Sequence, residues 1–274
     1  MNPLSQEDYQ EPACPLAPPP PAHVYHDPPE RIPLAEVIAE CDRLFNSERI
    51  FELGEHLRKW RARAAELGDK KAELSILNEL MGHYRMLGDR ERGLEAVRDG
   101  FRLISEVGVT GTVSAGTILL NGATVLKAFG EVKEALRHYA EASRCYGAHL
   151  APEDPQWAGL LNNMAAAYLD NGETKHAEAY YRKALAIMQQ NGNLMDTAVT
   201  WVNLAQLYAT LEGEDAKVTD CLDQAFACFD SPDAEYGSYY AHTCRKCAGA
   251  FGALGQPERE QELNARAEAL YEGT

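Results

Sequence analysis

Trp157 to Ile187 reads W-A-G-L-L-N-N-M-A-A-A-Y-L-D-N-G-E-T-K-H-A-E-A-Y-Y-R-K-A-L-A-I, and its pattern decides how the rest of the chain is read. Leu161, Met164, Ala165 and Tyr168 recur at i, i+3, i+4 and i+7, which draws one apolar stripe along a helix. Asn171-Gly172 ends that helix, because glycine adopts the left-handed conformation a helix terminus needs. A second helix follows, with Ala177, Tyr181 and Ala184 on one face. Ala165 and Ala177 let the two backbones approach, while Tyr168 and Tyr181 fill the space beside them. The unit is a helical hairpin.

The hairpin recurs. Gly172-Glu173 with Ala177 and Tyr181 is echoed by Gly130-Glu131 with Ala135 and Tyr139, and by Gly88-Asp89 with Gly93 and Val97. Gly88, Gly130 and Gly172 are equally spaced, 42 residues apart. The second hairpin carries Leu77, Leu80, Met81 and Tyr84, then Leu94, Val97 and Phe101; the third carries Leu119, Gly122, Ala123 and Leu126, then Ala135, Tyr139 and Ala142. A fifth copy holds Trp201, Leu204, Ala205 and Tyr208, with Leu222, Ala225 and Phe229 displaced by about one residue. A sixth holds Cys244, Cys247, Ala248 and Phe251, then Gly255 and a helix from Glu258 to Tyr271. The first is degenerate, as terminal repeats are: Leu34, Val37, Ile38, Cys41, Leu44 and Phe45 form one stripe, and Ile50, Leu53, Leu57 and Trp60 its partner. Pro152, Pro155, Pro232 and Pro257 all fall between these helices or at a helix start, where the cost of about 3 kcal/mol for an interior proline is avoided.

A small residue, an aromatic three later, a glycine four after that, then Ala-x-x-x-aromatic-x-x-Ala resembles the tetratricopeptide repeat. The longer period, with Leu150-Ala151-Pro152-Glu153-Asp154-Pro155 leading to Leu160-Leu161-Asn162-Asn163, is similar to the form in kinesin light chains and related bacterial proteins. The resemblance covers about residues 33 to 271. It implies an all-α, right-handed superhelical solenoid of about six antiparallel hairpins, its concave wall lined by the first helix of each. It also implies a non-catalytic scaffold that binds a protein or peptide.

Residues 1–32 carry most of the proline, including Pro18 to Pro21 and Pro28-Pro29, and read as a tail with Val24-Tyr25 as its main sticky point; residues 33–274 read as the solenoid. Seven cysteines, an odd number without framework spacing, argue for a reducing, cytoplasmic compartment. The sequence shows no secretory leader and no apolar run of membrane-spanning length. The net charge of −16 repels phosphate backbones and anionic lipid, which argues against nucleic-acid and membrane partners.

Candidate ligand contacts lie off the core stripe on the inner face of the first helices. They are Thr117, Asn121, Thr124 and Ala128; Gly159, Asn163, Ala166 and Asp170; Val199, Asn203, Gln206 and Thr210; and His242, Lys246, Gly249 and Ala253. Asn121, Asn163 and Asn203 fall at equivalent places, and a row of carboxamides can pair with the peptide groups of an extended chain. Arg85, Lys127, Arg245 and Lys246 add basic points, suited to an acidic peptide or one ending in a free carboxylate. The carboxylate clamp of chaperone-binding relatives is matched only by Asn203 and Lys246: Asn162 and Ala166 stand at its first Lys and Asn positions, and His242 at its second Lys. The contact set is therefore Asn121, Thr124, Lys127, Asn162, Asn163, Asn203, Gln206, His242, Arg245 and Lys246.

No metal site or cofactor is expected. Cys244-Arg-Lys-Cys247, even with His242, Cys221 and Cys228 in view, occupies core positions, and Cys145 with His149 supplies two ligands where a site needs more. No phosphate-cradling loop, nucleophile elbow or H-E-x-x-H occurs, so no catalytic constellation is expected. Two further readings stand beside the scaffold. One is a peptide-gated regulator similar to bacterial quorum-sensing repeat receptors, acting on a protein target. The other is an assembly subunit that uses its convex face.

Overall fold

The structure is a computed structural model and describes residues 25–47 and 49–272. Among the described residues there are twelve helices and no strand. They are α1 (Leu34–Asn46), α2 (Ile50–Leu67), α3 (Lys70–Leu87), α4 (Arg90–Glu106), α5 (Val113–Ala128), α6 (Val132–His149), α7 (Pro155–Asp170), α8 (Thr174–Gln190), α9 (Leu194–Ala209), α10 (Asp215–Phe229), α11 (Ser238–Ala253) and α12 (Pro257–Glu272). Consecutive helices pack as six hairpins, and each hairpin packs on the next, which is a helical solenoid.

The turns follow from the glycines. Gly88, Gly130 and Gly172 all take positive φ, at 68°, 88° and 79°, and each stands between the two helices of its hairpin. Gly213 and Gly255 do the same in the last two hairpins, Gly213 arriving one residue early relative to the 42-residue period. Helix starts are fixed by side chains. Asp69, Asp89, Thr112, Asp154 and Asn193 each accept a hydrogen bond from a backbone N–H in the first turn of the helix they precede. Pro155 opens α7 and Pro257 opens α12, whereas Pro33 stands just before α1 rather than inside it.

The core runs along the stack as two large clusters, one from α1 to α7 and one from α7 to α12, with Tyr168 and Tyr180 packed against both. Ala135, Tyr139 and Ala142 of α6, and Ala177, Tyr181 and Ala184 of α8, are buried against neighbouring first helices. Small residues set the spacing: a Cβ on Gly122 would stand 2.5 Å from the Phe101 ring, so the approach of α5 to α4 requires its absence. Several stripe residues are only half-buried, among them Ile38, Trp60, Leu94, Phe101 and Trp201. Leu161 is only half-buried, and Leu160, Ala165 and Ala167 take the covered positions around Met164. Tyr168 is half-buried as well; it stacks flat on Tyr180, with ring centroids 5.3 Å apart, instead of filling the core. Phe45 is 45% exposed, because α1 ends the stack and has no preceding hairpin to cover that face.

Tyr25 to Ile32, part of the stretch read from sequence as tail, lie along the α2–α3 turn. The Tyr25 hydroxyl donates to the Gly68 carbonyl at 3.4 Å, the Ile32 N–H donates to Asp69 at 3.1 Å, and Arg31 pairs with the same carboxylate at 2.9 Å. The rest of that stretch, residues 1–24, lies outside the described residues.

Candidate functional site

Successive odd-numbered helices touch: α3 meets α5, α5 meets α7, α7 meets α9 and α9 meets α11. No pair of successive even-numbered helices is packed to the same extent. The odd helices therefore take the tighter, inner side of the curve, and the candidate contacts read from sequence all lie on them.

The carboxamides are already engaged with one another. Asn121 Nδ2 donates to Asn78 Oδ1 at 2.8 Å across α5 and α3, and Asn203 Nδ2 donates to Asn162 Oδ1 at 3.2 Å across α9 and α7. The Thr200 hydroxyl reaches the same Asn162 oxygen at 3.1 Å. Asn163 instead donates to the Gly159 carbonyl of its own helix at 2.9 Å. The row is thus two interhelical pairs plus one residue turned back on its backbone. Each amide has two donors and two acceptor positions, so capacity remains at every one.

Thr124 donates to the Leu120 carbonyl at 2.9 Å and so accepts from the Tyr139 hydroxyl at 3.0 Å, which braces α5 on α6. Lys127 reaches Asp170 of the next first helix at 3.3 Å, which ties two basic and acidic candidates to each other. Gln206 is exposed on α9.

His242, Arg245 and Lys246 of α11 lie elsewhere, at a place that sequence reading did not assemble. His242 and Lys246 line one cavity of about 560 Å³ together with Cys41 and Asp42 of α1, Leu53 and Leu57 of α2, and Glu79, His83, Arg85 and Met86 of α3. His242 and Arg245 line a second, of about 600 Å³, with Phe45, Ile50, Met86 and Tyr239. The two share Phe45, Met86 and His242. The first and last hairpins therefore face each other across them, so the solenoid curls far enough to bring its two ends together.

The electrostatics there are divided. Burial raises the pKa of the Glu79 carboxyl, Asp42 adds to that, and a 3.3 Å hydrogen bond from Asn78 opposes it. Asn121, Asn78 and Glu79 thus form a chain that runs from the carboxamide pairs into the cavity. His242 is held below the ordinary imidazole range, by burial first and then by Lys246 and Arg245. His83, buried, is lowered by burial, and its Nδ1 has no hydrogen-bond partner among the described residues.

The cysteines take no part in this surface except Cys41. All six described are buried; burial pushes Cys41, Cys221, Cys228 and Cys244 up to about 11 and Cys247 to about 12, which leaves them as thiols at neutral pH. No group of three or more metal-ligating side chains is gathered among the described residues. No described helix is long and apolar enough to cross a membrane.

Comparison with known proteins supports this architecture. A family model described as tetratricopeptide repeat matches residues 158–231. No curated protein matches the chain. Among solved structures, nearly identical repeats of a protein described as a kinesin light chain of Podosopora anserina superpose with a TM-score of 0.53 at 20% identity, covering 72% of this chain and 94% of that one. BtubC (BKLC) from P. vanneervenii gives 0.51 at 16% identity, covering 89% and 92%. A Rap protein complexed with Competence and Sporulation Factor gives 0.59 at 13% identity, covering 88% and 75%.

Proposed function

We propose that this chain, a tetratricopeptide-repeat protein resembling the kinesin-light-chain-like form, is a non-catalytic scaffold that captures an extended peptide along its inner face. The observation that carries the reading is the set of carboxamides on α3, α5, α7 and α9: they are partly buried, paired across helices, and keep unused donors and acceptors. Held in place by one bond, each amide offers its remaining groups at little further entropic cost. Such groups recognise peptide backbone rather than side chains, and Arg85, Arg245 and Lys246 at the end of the wall favour an acidic segment or a free carboxylate. A cytoplasmic, reducing location fits six buried thiols.

The test is selection from a random peptide library with free C-termini, followed by titration of the selected peptide into the intact chain and into Asn121→Ala/Asn203→Ala. Each lost hydrogen bond contributes about 1 kcal/mol, so the double variant should bind roughly 10- to 30-fold more weakly with unchanged helicity. Equal affinity in both proteins counts against the inner face.

A second reading, a receptor that closes on its peptide, is favoured by one specific feature: the two ends of the solenoid already line common cavities. A ligand that touched both walls would bind the closed form better than the open one, which is the condition for a switch.

A further inference from the structure

Six large apolar side chains are prominently exposed among the described residues: Phe45, Phe51, Met86, Leu87, Tyr236 and Tyr239. Phe45, Met86 and Tyr239 gather at the cavity pair between the first and last hairpins. Concave apolar surface of this kind calls for an occupant. Its rim defines the chemistry. Lys246 on α11 and Arg85 on α3 form no ion pair among the described residues, in a chain where most arginines do. His242 stands beside Lys246 on the α11 wall, while Asp42 and Glu79 make part of the opposite wall acidic. The matching segment has one aromatic ring with carboxylates next to it, those carboxylates turned toward Lys246 and Arg85 and away from Asp42 and Glu79.

The chain contains such a segment. Residues 1–24 hold Glu7, Asp8 and Glu11 and no lysine or arginine, and their one large aromatic, Tyr9, follows Glu7-Asp8 directly. The reach is sufficient. Tyr25 is pinned beside Gly68, at the start of α3, by its hydroxyl and by Lys71 over its ring at 5.5 Å. Met86 lies near the other end of α3, roughly 25 Å along the axis at 1.5 Å per residue. The sixteen residues from Tyr9 to Tyr25 can span up to about 50 Å.

We propose that Glu7-Asp8-Tyr9 docks within its own chain in the cavity shared by α1, α3 and α11, the Tyr9 ring against Phe45 and Met86 and the two carboxylates toward Lys246 and Arg85. The chain then carries its own ligand at the end of the inner groove, at the high effective concentration a tether gives, and an external acidic-aromatic peptide must displace it. This goes beyond the capture reading and does not use the carboxamides.

The test places the photoreactive residue p-benzoylphenylalanine at position 9 of the full chain. Irradiation and mass spectrometry should find cross-links within one molecule, to α1, α3 and α11, with Met86 prominent. Arg85→Glu/Lys246→Glu should cut their yield several-fold. In parallel, Tyr9→Ala in the full chain should bind the probe peptide S-Q-E-D-Y-Q-E about tenfold more tightly than wild type, because the site is vacated. Cross-links on other helices, cross-links only between molecules in a mixture of isotopically light and heavy chains, no cross-link at all, or an unchanged probe affinity would each overturn the proposal. Asn121→Ala/Asn203→Ala should leave the cross-link intact, so failure of backbone capture and failure of tail docking are read separately.

Discussion

Asp69 joins three parts of the molecule at one carboxylate. It is buried, caps α3 through the Ala72 N–H at 3.2 Å, accepts from the Ile32 N–H and pairs with Arg31. Burial alone would raise its pKa, but the bonds from Ile32, Arg31 and Ala72 outweigh that and hold it below the ordinary value of 3.8. A depressed pKa stabilises the fold fully above about pH 4 and loses that contribution as pH falls through the lower, folded value. Asp69→Ala removes the cap and leaves the Ile32 N–H without its acceptor, so urea titration at neutral pH should show a loss of about 2–3 kcal/mol; a loss under about 0.5 kcal/mol would refute this role. His242 titrates in the other sense. Its lowered pKa keeps it neutral at pH 7, with Lys246 and Arg245 on its own helix and Asp42, Glu79, His83 and Arg85 across the cavity. Affinity for an acidic peptide should therefore rise as pH drops below the ordinary imidazole range, and His242→Ala should flatten the profile. At this scale the sequence was readable for periodic positions and silent for pairings. Asn121, Asn163 and Asn203 look equivalent by spacing, yet Asn163 turns to Gly159 while Asn162 takes the cross-helix bond. One residue of register rotates a helical side chain by about 100°, and only the neighbouring helix decides which of two adjacent amides it meets.

At the level of elements, the turn carries the fold. Gly130 adopts φ 88°, a region that costs an L-residue about 1–2 kcal/mol, so Gly130→Ala should lower the unfolding free energy read from urea titration by that amount despite alanine's helix preference. Neutral behaviour would mean the turn can relax to another geometry. Hairpins are also linked by ion pairs about one repeat apart, Arg90 with Glu131 at 2.6 Å, Lys127 with Asp170 at 3.3 Å and Arg259 with Asp223 at 2.6 Å, while Lys70 with Glu106 at 2.9 Å ties the two helices of one hairpin. These are largely exposed. A double-mutant cycle on Lys127 and Asp170 should give under about 1 kcal/mol of coupling, and a larger value would mean the pair is shielded from solvent. Helix number, turn position and the degenerate first hairpin were legible because each rests on contacts within a hairpin or its immediate neighbour. Phe45 was not: its stripe is apolar, but whether a stripe is covered depends on what stacks beyond it, and α1 is the end of the stack.

The whole molecule adds the curl. No local pattern brings Met86 and His242 to the same cavity; that follows from a small rotation repeated through the stack, and this is why sequence reading placed His242, Arg245 and Lys246 at the end of a wall without seeing what faces them. If a peptide bridges the two walls, small-angle scattering should show the radius of gyration fall on its addition; an unchanged value would favour a static scaffold. The charge of −16 bears on the same scale, since it opposes association with phosphate backbones and leaves the basic rim of the cavity as a local exception. The most direct measurement of the central claim is hydrogen–deuterium exchange of the intact chain with and without a library-selected peptide. Capture along the inner face predicts slowed exchange in α5, α7, α9 and α11, with α6, α8 and α10 unchanged. Protection confined to the even-numbered helices would contradict it and move binding to the convex side.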